Sequence, residues 1–356
     1  MRIAVLGVGL IGGSIGLAAR ARVEGAEVVG SGRDPARLER ARELGAIDHA
    51  AASLEEALDG ADACFACGPV GALPGQIEAA LAAAGPGCVV TDAGSTKRAL
   101  ARAFTDERYI GGHPIAGAET SGVEHARADL FEGATWYLTP GERSSGLLYE
   151  RLHRLVVALG ARPVAIDAEA HDRLLATVSH LPHVLANVLV DRAARRVGEG
   201  DPLPRIGPSF RDATRVAGAS TEIWRDIYVS NAEAIADEID QAVAGLEHAA
   251  SLLRSGDGDA IGTWNDEARE SRRRLLEADL AAGQVHELRL TVPNEPGVVA
   301  QVALALGRAG VNIADLALAP APDMRSGAIT LWVAGDADAG RAEALIAELG
   351  FPVARA

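Results

Sequence analysis

The chain has 356 residues, of which 48% are hydrophobic and 23% charged, a composition that excludes wholesale disorder and allows two or three domains. Its formal net charge of −15 argues against nucleic acid or an anionic membrane as the main partner. We expect no membrane-spanning helix, because no run of about 18 uncharged apolar residues is present. The first predicted strand begins directly after Met1-Arg2 and leaves no room for a signal peptide, so we expect a cytoplasmic protein.

Residues 1–166 alternate short apolar runs with helical stretches, which predicts an α/β domain with a mostly parallel sheet covered on both faces. Strands are predicted at Ile3–Gly7, Ala26–Gly30, Ala63–Cys67, Cys88–Asp92, Tyr109–Gly112, Thr135–Thr139 and Pro163–Ile166. Two helix starts are marked between them. Asp34-Pro35 places a capping residue before a first-turn proline, and Ser53–Glu56 has the pattern of a capping box.

The rest of the chain divides into a helical part and a smaller mixed part. Residues 167–283 carry almost no strand signal and predict an all-α domain with helices over Ala168–Arg196, Ser220–Arg254 and Asp259–Ala282. Residues 284–356 predict a small α+β module of regulatory type. Its strands are His286–Val292, Val311–Ala319, Ala328–Val333 and a short final strand, and its helices are Val298–Ala309 and Ala339–Leu349.

A glycine-rich turn follows the first strand and opens the first helix. Its glycines are Gly7, Gly9 and Gly12, in the pattern G-x-G-x-x-G, and Leu10 and Ile11 lie between the last two. Glycines at these positions permit a tight turn and let a pyrophosphate approach backbone N–H groups at a helix start. The context of strand, turn and helix near the N-terminus predicts a Rossmann-type dinucleotide-binding domain.

The second strand lacks the acidic residue that would bind the ribose of NAD. An acid is expected about 20 residues beyond Gly12, but Gly32 and Arg33 stand near that place, and Asp34 already serves as a helix cap. An arginine in place of the acid favours a 2′-phosphate and therefore NADP. Two alternatives stay open, namely that Arg33 is only a solvated residue of the first helical turn and that the cofactor is NAD.

Two further strand ends carry chemistry-bearing side chains. His113 follows an apolar strand, and Pro114 holds it out of the helical region. Because ligands bind beyond the carboxyl ends of strands in such sheets, His113 is a candidate to take a proton from a hydroxyl as hydride leaves its carbon. Ser95, next to Gly94, is a candidate to bind the same hydroxyl or to orient His113. The alternatives are a structural histidine and, for Ser95, a helix cap.

The helical part contains a histidine pair. Ser179, His180 and His183 lie in a helix that Pro182 should kink, and we predict that they contact substrate; helix-packing histidines are the alternative. We predict no metal site, because His171 falls on the opposite helix face from His180 and the usual zinc spacing is absent. Farther along, Arg211 and Arg215 are candidates to grip a carboxylate, with surface charge as the alternative.

Five motifs occur in an order that resembles the prephenate dehydrogenase family, which includes arogenate dehydrogenases. They are Gly7–Ser14 (GVGLIGGS), Thr91–Lys97 (TDAGSTK), His113–Gly117 (HPIAG) followed by Glu119, Ser179–His183 (SHLPH), and Phe210–Arg215 (FRDATR) followed by Trp224–Ile227. The resemblance covers residues 1 to about 282. The tail, with Val292–Val298 and Gly310–Ile313, resembles an ACT domain of ferredoxin-like fold.

The resemblance implies an NAD(P)-dependent oxidative decarboxylation of prephenate or arogenate in tyrosine biosynthesis. His113 would hydrogen-bond the ring hydroxyl and take its proton, and Ser95 would share that hydroxyl. Arg215 would bind a substrate carboxylate. The remaining implied site residues are Ser179, His180 and His183, which would line the pocket, Glu119, which would shape it, and Gly94, beside the cofactor. The helical part would form a homodimer.

For the ACT-like tail, the resemblance implies an amino-acid effector site near Gly297, Asn312 and Ile313. The hypothesis is feedback inhibition by tyrosine, and the alternative is a dimer-stabilising module that binds nothing. Two other functions are kept as rivals. A β-hydroxyacid dehydrogenase would need a catalytic lysine in the helical part, but the single lysine, Lys97, lies in the first domain. A non-catalytic amino-acid sensor would not need the set of His113, Ser95 and Arg215.

Overall fold

The computed structural model describes residues 1–117, 120–196, 207–277, 285–293, 295–320 and 326–355. The chain divides into two compact units. The first contains Met1–Asp172, Ala219–Ser230 and Val285–Ala356, and the second contains Arg173–Gly218 and Asn231–Gln284.

The first unit begins with a parallel sheet that alternates with helices. In chain order the elements are β1 (Arg2–Leu6), α1 (Leu10–Arg22), β2 (Glu27–Ser31), α2 (Pro35–Glu43), β3 (His49–Ala50), α3 (Leu54–Leu58), β4 (Ala63–Ala66), α4 (Leu73–Ala83) and β5 (Val89–Asp92). The strand order is β3-β2-β1-β4-β5, with every pair parallel. All four strands predicted in this stretch are present, and β3 is a two-residue addition whose side chains are exposed and leave no apolar pattern to predict from.

Both predicted caps form. The Asp34 carboxylate accepts hydrogen bonds from the amides of Ala36 and Arg37 at the start of α2. The Ser53 hydroxyl accepts from the amide of Glu56 at the start of α3. Each cap satisfies N–H groups that have no partner inside the helix.

A second sheet continues the first unit. Its elements are α5 (Arg98–Ala103), β6 (Ile110–Pro114), β7 (Thr135–Pro140), α6 (Gly146–Ala158) and β8 (Arg162–Ala165). The strand order is β6-β7-β8, with β6 antiparallel and β8 parallel to β7. A parallel bridge between Val90 and Tyr109 joins β6 to β5, so both strands end at the same edge. The strand β6 extends two residues beyond the prediction, so His113 lies inside it rather than after it.

Helices dominate the next stretch, as predicted. They are α7 (Ala168–Leu175), α8 (Leu181–Arg196), α9 (Pro208–Thr214), α10 (Thr221–Ser230), α11 (Ala232–Ser255) and α12 (Gly258–Glu277). A π-helical turn, Ala176–His180, joins α7 to α8. Pro182 lies two residues after this turn, and a wider turn accommodates a residue that has no N–H and crowds the preceding carbonyls. The single helix predicted over Ser220–Arg254 is divided at Asn231.

The stretch Ala168–Arg196 is long and apolar enough, by length and composition alone, to cross a membrane. A core helix meets the same criterion, so this finding decides nothing about a membrane.

The tail folds as an antiparallel sheet with two helices. The elements are β9 (Val285–Pro293), α13 (Val298–Arg308), β10 (Ile313–Pro320), β11 (Ser326–Ala334), α14 (Asp336–Glu348) and β12 (Val353–Arg355). The strand order is β10-β11-β9-β12. This tail shares an apolar core with the first sheet domain, and Val299 and Leu306 of α13 belong to the same buried cluster as Leu152 and Ala165.

Candidate active site

The glycine turn after β1 has the shape that a dinucleotide needs. Gly7 has a φ of 97°, which favours glycine, and a Cβ at Gly12 would overlap the carbonyl oxygen of Gly7. A Cβ at Gly9 would meet nothing within 4 Å. The two tight glycines therefore close the turn, while Gly9 leaves open space in front of the amides of Leu10 and Ile11 at the start of α1. The residues present fit a bound pyrophosphate.

The end of β2 offers a cation rather than an acid. Arg33 is exposed and makes no ion pair within the described part of the chain. The Asp34 carboxylate does not replace the missing ribose-binding acid, because it caps α2 and pairs with Arg37 at 3.3 Å. The side chain nearest in sequence to the expected ribose position is thus a solvent-facing guanidinium.

His113 is held on β6 by a second histidine. It is 8% exposed, and its Nδ1 lies 2.9 Å from Nε2 of His171 at the start of α7. His171 in turn places its Nδ1 2.8 Å from Oδ1 of Asp172. Sequence reasoning considered His171 only as a metal ligand and missed this contact. The adjacent His171-Asp172 pair was the available signal, but its partner lies 58 residues away along the chain.

Ser95 lies in the loop between β5 and α5 and makes no hydrogen bond to His113, His171 or Asp172. Its side chain is half-buried and makes no hydrogen bond to a residue that the structure describes. It does not cap α5 either, so the capping alternative was wrong. Asp172 supplies that cap instead, accepting from the amide of Lys97 at 2.7 Å and of Arg98 at 2.9 Å.

A buried ion pair supports the loop that carries Ser95. Lys97 Nζ contacts Asp92 Oδ2, and both side chains are fully buried. Asp92 also accepts from the Gly94 amide at 2.8 Å and from the Tyr109 hydroxyl at 2.9 Å. Burial, followed by the charge of Asp92, raises the pKa of Tyr109 well above its usual range, so the phenol stays a donor. Asp92 thus fixes Gly94, predicted to lie beside the cofactor, against β6.

The second unit holds the other predicted histidines. His180, in the π-helical turn, is buried and lies 3.2 Å from the Asn231 amide nitrogen through its Nδ1. His183, also buried, lies 3.3 Å from the amide nitrogen of Asn187. Burial lowers the pKa of His183, against a backbone hydrogen bond with Val216 that raises it.

That backbone contact places His183 against the short 3₁₀ turn Arg215–Gly218, which begins with the exposed Arg215. Ser179 is half-buried in the π-helical turn. Glu119 lies outside the described residues. Ser95, His113, His171 and Asp172 thus belong to the first unit, and Ser179, His180, His183 and Arg215 belong to the second.

The predicted effector residues lie in the tail. Gly297 has a φ of 85° and donates its amide to the carbonyl of Ser144 at 3.3 Å, so its loop rests against the first domain. The buried Oδ1 of Asn312 has no hydrogen-bond partner in the described part of the chain. Ile313 is buried at the start of β10. Among the described residues, no group of three or more His, Cys, Asp or Glu side chains is arranged to hold a metal ion.

Three family models match successive parts of the chain. They describe the nucleotide-binding domain of prephenate dehydrogenase over residues 15–165, its dimerization domain over 167–265, and an AHAS small subunit-like ACT domain over 288–350. Prephenate dehydrogenase of Lactococcus lactis subsp. cremoris is 31% identical over 309 residues, which are 85% of each chain. The chain belongs to the prephenate dehydrogenase family.

Other members of this family support the same assignment. Prephenate dehydrogenase of Bacillus subtilis is 29% identical over 97% of this chain and 95% of its own length. The crystal structure of prephenate dehydrogenase from A. aeolicus in complex with hydroxyphenyl propionate and NAD+ is 28% identical, with a TM-score of 0.73. It covers 77% of this chain and 98% of its own. The predicted family, the predicted fold class and the predicted NAD(P)-dependent oxidoreductase are confirmed. The exact domain boundaries at 166 and 283 stay predictions.

Proposed function

We propose that this protein converts prephenate to 4-hydroxyphenylpyruvate by oxidative decarboxylation with NAD(P), in tyrosine biosynthesis. The observation that carries the proposal is the position of His113. The strands β1, β5 and β6 run in the same direction, so their carboxyl ends place the glycine turn, Gly94 and His113 along one edge of the sheet domain. A base at the edge where the dinucleotide turn lies is the arrangement that hydride transfer from an alcohol requires.

In this reaction the hydroxyl group on the ring gives its proton to Nε2 of His113. Hydride leaves the ring carbon that bears this hydroxyl at the same time. The nicotinamide, when bound, accepts that hydride. The bond from the ring to its carboxylate then breaks, carbon dioxide leaves, and the electron pair completes the aromatic ring. The resulting phenolate oxygen takes the proton back from His113, so the residue is restored. We assign Ser95 to donate a hydrogen bond to the same oxygen, in keeping with a hydroxyl that bonds to no residue in the described part of the chain.

The substrate is doubly anionic, whereas the protein has a net charge of −15, so local cations must bind it. We assign Arg215 to a substrate carboxylate, because a guanidinium grips a carboxylate through two parallel hydrogen bonds. We also assign Ser179, His180, His183 and Glu119 to contacts with the substrate. Arogenate is the alternative substrate, since it differs only by an amino group in place of the keto group of the side chain.

Steady-state reduction of NAD and NADP, each with prephenate and with arogenate, tests the proposal in one four-way comparison. We expect turnover with at least one pair, and a loss of roughly 10²-fold or more in kcat for His113→Asn, because general-base catalysis contributes about that much. A folded wild-type protein without turnover in any combination would sink the proposal and favour the amino-acid sensor.

We propose NADP as the preferred cofactor, on the support of Arg33. An exposed guanidinium without an ion pair among the described residues is suited to a 2′-phosphate. Arg33→Ser should raise KM for NADP roughly tenfold, about 1.4 kcal/mol, and leave KM for NAD nearly unchanged. Arg37→Ser is the matched control, because that arginine pairs with Asp34 one turn farther along. Equal effects of Arg33→Ser on both cofactors would exclude this role.

We further propose a homodimer formed by the helical part. The matched model of residues 167–265 describes a dimerization domain. In agreement, α11 exposes Val243, Leu246 and Leu253 in steps of three and seven residues, which places them on one face. Light scattering should give twice the mass of one chain for the wild type. The double variant Leu246→Glu/Leu253→Glu should be monomeric, and a dimeric double variant would place the interface elsewhere.

An amino acid, with tyrosine as first candidate, is the proposed effector of the tail. A cavity of about 280 Å³ lies beside Gly297, with apolar walls that include Leu147, Pro296 and Val299, and with Glu107 available for an ammonium group. Inhibition of the full-length enzyme by tyrosine, with phenylalanine and tryptophan as controls, tests the assignment. The absence of inhibition by all three at millimolar concentration would favour a module that only stabilises the assembly.

A further inference from the structure

His171 and Asp172 lie outside the five sequence motifs, yet His171 contacts His113 directly. Together with His113 they form a chain of two hydrogen bonds, 2.9 Å and 2.8 Å long, in which His171 is the middle member. His171 is fully buried and Asp172 is 1% exposed, so water does not compete for either contact. The edge of the Tyr137 ring packs on His171 at a centroid distance of 5.5 Å and restricts the imidazole further.

Asp172 is held as a carboxylate. Burial alone would raise its pKa, but hydrogen bonds from His171 and from the amides of Arg98 and Lys97 outweigh burial and lower it. Asp172 accepts from an N–H group in each of these three contacts, as a carboxylate must.

His171 is held neutral. Burial lowers its pKa, and the hydrogen bond with Asp172 opposes that effect only in part. The buried Lys97 cation nearby acts in the same direction as burial. A neutral imidazole has one N–H, and the ionised Asp172 claims it at Nδ1. The Nε2 of His171 therefore has only a lone pair to offer to His113.

We infer that His171 and Asp172 are positioning residues that hold neutral His113 as the tautomer protonated on Nδ1. Since Nε2 of His171 can only accept, Nδ1 of His113 must donate, and the lone pair of His113 is thereby placed on Nε2, the nitrogen that receives the substrate proton. The inference rests on the proposed function for its catalytic consequence but not for the tautomer itself. When His113 takes up the proton, the carboxylate of Asp172 stabilises the charge through His171.

The tautomer is observable by ¹⁵N NMR of the full-length protein labelled at its nine histidines. His113→Gln identifies the signals of His113. We expect a protonated Nδ1 and an unprotonated Nε2 for His113 in the wild type at neutral pH. His171→Leu, which removes the acceptor, should shift His113 away from this tautomer. It should also lower kcat roughly 10- to 100-fold, a part of what general-base catalysis supplies, with KM for substrate nearly unchanged.

Two further variants separate positioning from packing. His171→Gln keeps an acceptor oxygen within reach of His113 and should recover part of kcat and of the Nδ1-protonated signal. His153→Leu removes another buried histidine of the first unit, one outside the contacts of His113, His171 and Asp172, and should change neither readout. If His171→Leu does not fold, the tautomer of the wild type decides, because a histidine that only packs against His113 would not require a protonated Nδ1 there.

A wild-type His113 protonated on Nε2 would overturn the inference, and so would a His171→Leu protein with wild-type tautomer and kcat. Failure of the proposed function gives a different pattern. In that case the wild type shows no turnover with prephenate or arogenate, while the NMR signals still report whether His171 sets the tautomer of His113.

Discussion

At the scale of single residues, Gly9 and Gly12 have different roles within the same turn. Gly9 leaves space for the cofactor, and Gly12 allows the turn to pack. A Cβ at Gly9 enters open space, and its φ of −100° lies outside the left-handed region that favours glycine. A Cβ at Gly12 overlaps the Gly7 carbonyl and comes within 2.9 Å of Val5. Gly9→Ala should therefore keep the wild-type melting temperature and raise KM for the cofactor roughly tenfold, because the methyl occupies space in front of the helix start.

Gly12→Ala should do the reverse, lowering the free energy of unfolding by roughly 1–3 kcal/mol through overpacking. Thermal unfolding and cofactor titration of both variants check the pair. Equal melting temperatures, or an unchanged KM in Gly9→Ala, would contradict the division of roles between the two glycines.

At the scale of elements, the packing of α6 on β10 buries a histidine that should make stability depend on pH. Burial lowers the pKa of His153 from 6.5 to about 4, although the charge of Asp315 on β10 opposes the shift. The unfolded chain therefore binds a proton at His153 between pH 6.5 and 4 while the folded chain does not. Stability is present in full above pH 6.5 and falls as the pH drops to 4, by about 3 kcal/mol at 1.36 kcal/mol per pKa unit.

His153→Leu removes this linkage. Urea unfolding at pH 7.5, 6 and 5 should show a smaller loss of stability on acidification in the variant than in the wild type. His171 and His183 remain in both proteins, and burial lowers their pKa values as well, so the difference between the two curves isolates His153. Parallel curves would mean that His153 is accessible to protons in the folded state.

Elements were predictable from sequence where their signal is local. The glycine turn, the caps at Asp34 and Ser53, and an apolar strand leading to His113 are each specified within a few residues. The contact of His113 with His171 and the capping of α5 by Asp172 join residues 58 and 75 positions apart. Such contacts depend on the tertiary fold, which no periodicity encodes. The division of the predicted helix at Asn231 was missed because apolar residues continue across it.

At the scale of the whole molecule, the first unit unites segments that the sequence predicted as separate domains. The backbone of the tail packs directly against the backbone of residues 1–166, with no side chain between them at two points. A Cβ at Gly307, in α13, would overlap the carbonyl oxygen of Ala165 at the end of β8, and a Cβ at Gly297 would overlap that of Glu142. Composition and local pattern predict the tail as a module of its own. The tail can pack this closely only because Gly307 and Gly297 have no side chains.

This close approach predicts that one methyl group undocks the tail. In Gly307→Ala the new methyl must displace either α13 or β8, because the Ala165 carbonyl belongs to a rigid backbone. Hydrogen exchange over residues 285–355 should become faster, and the melting temperature should fall. Gly340→Ala, in α14 of the same tail, is the matched control. Its Cβ meets nothing within 4 Å, so the substitution should stabilise its helix by up to about 1 kcal/mol. Wild-type exchange in Gly307→Ala would show that the tail is not held at this contact, and the shared core around Leu306 would then have to hold it alone.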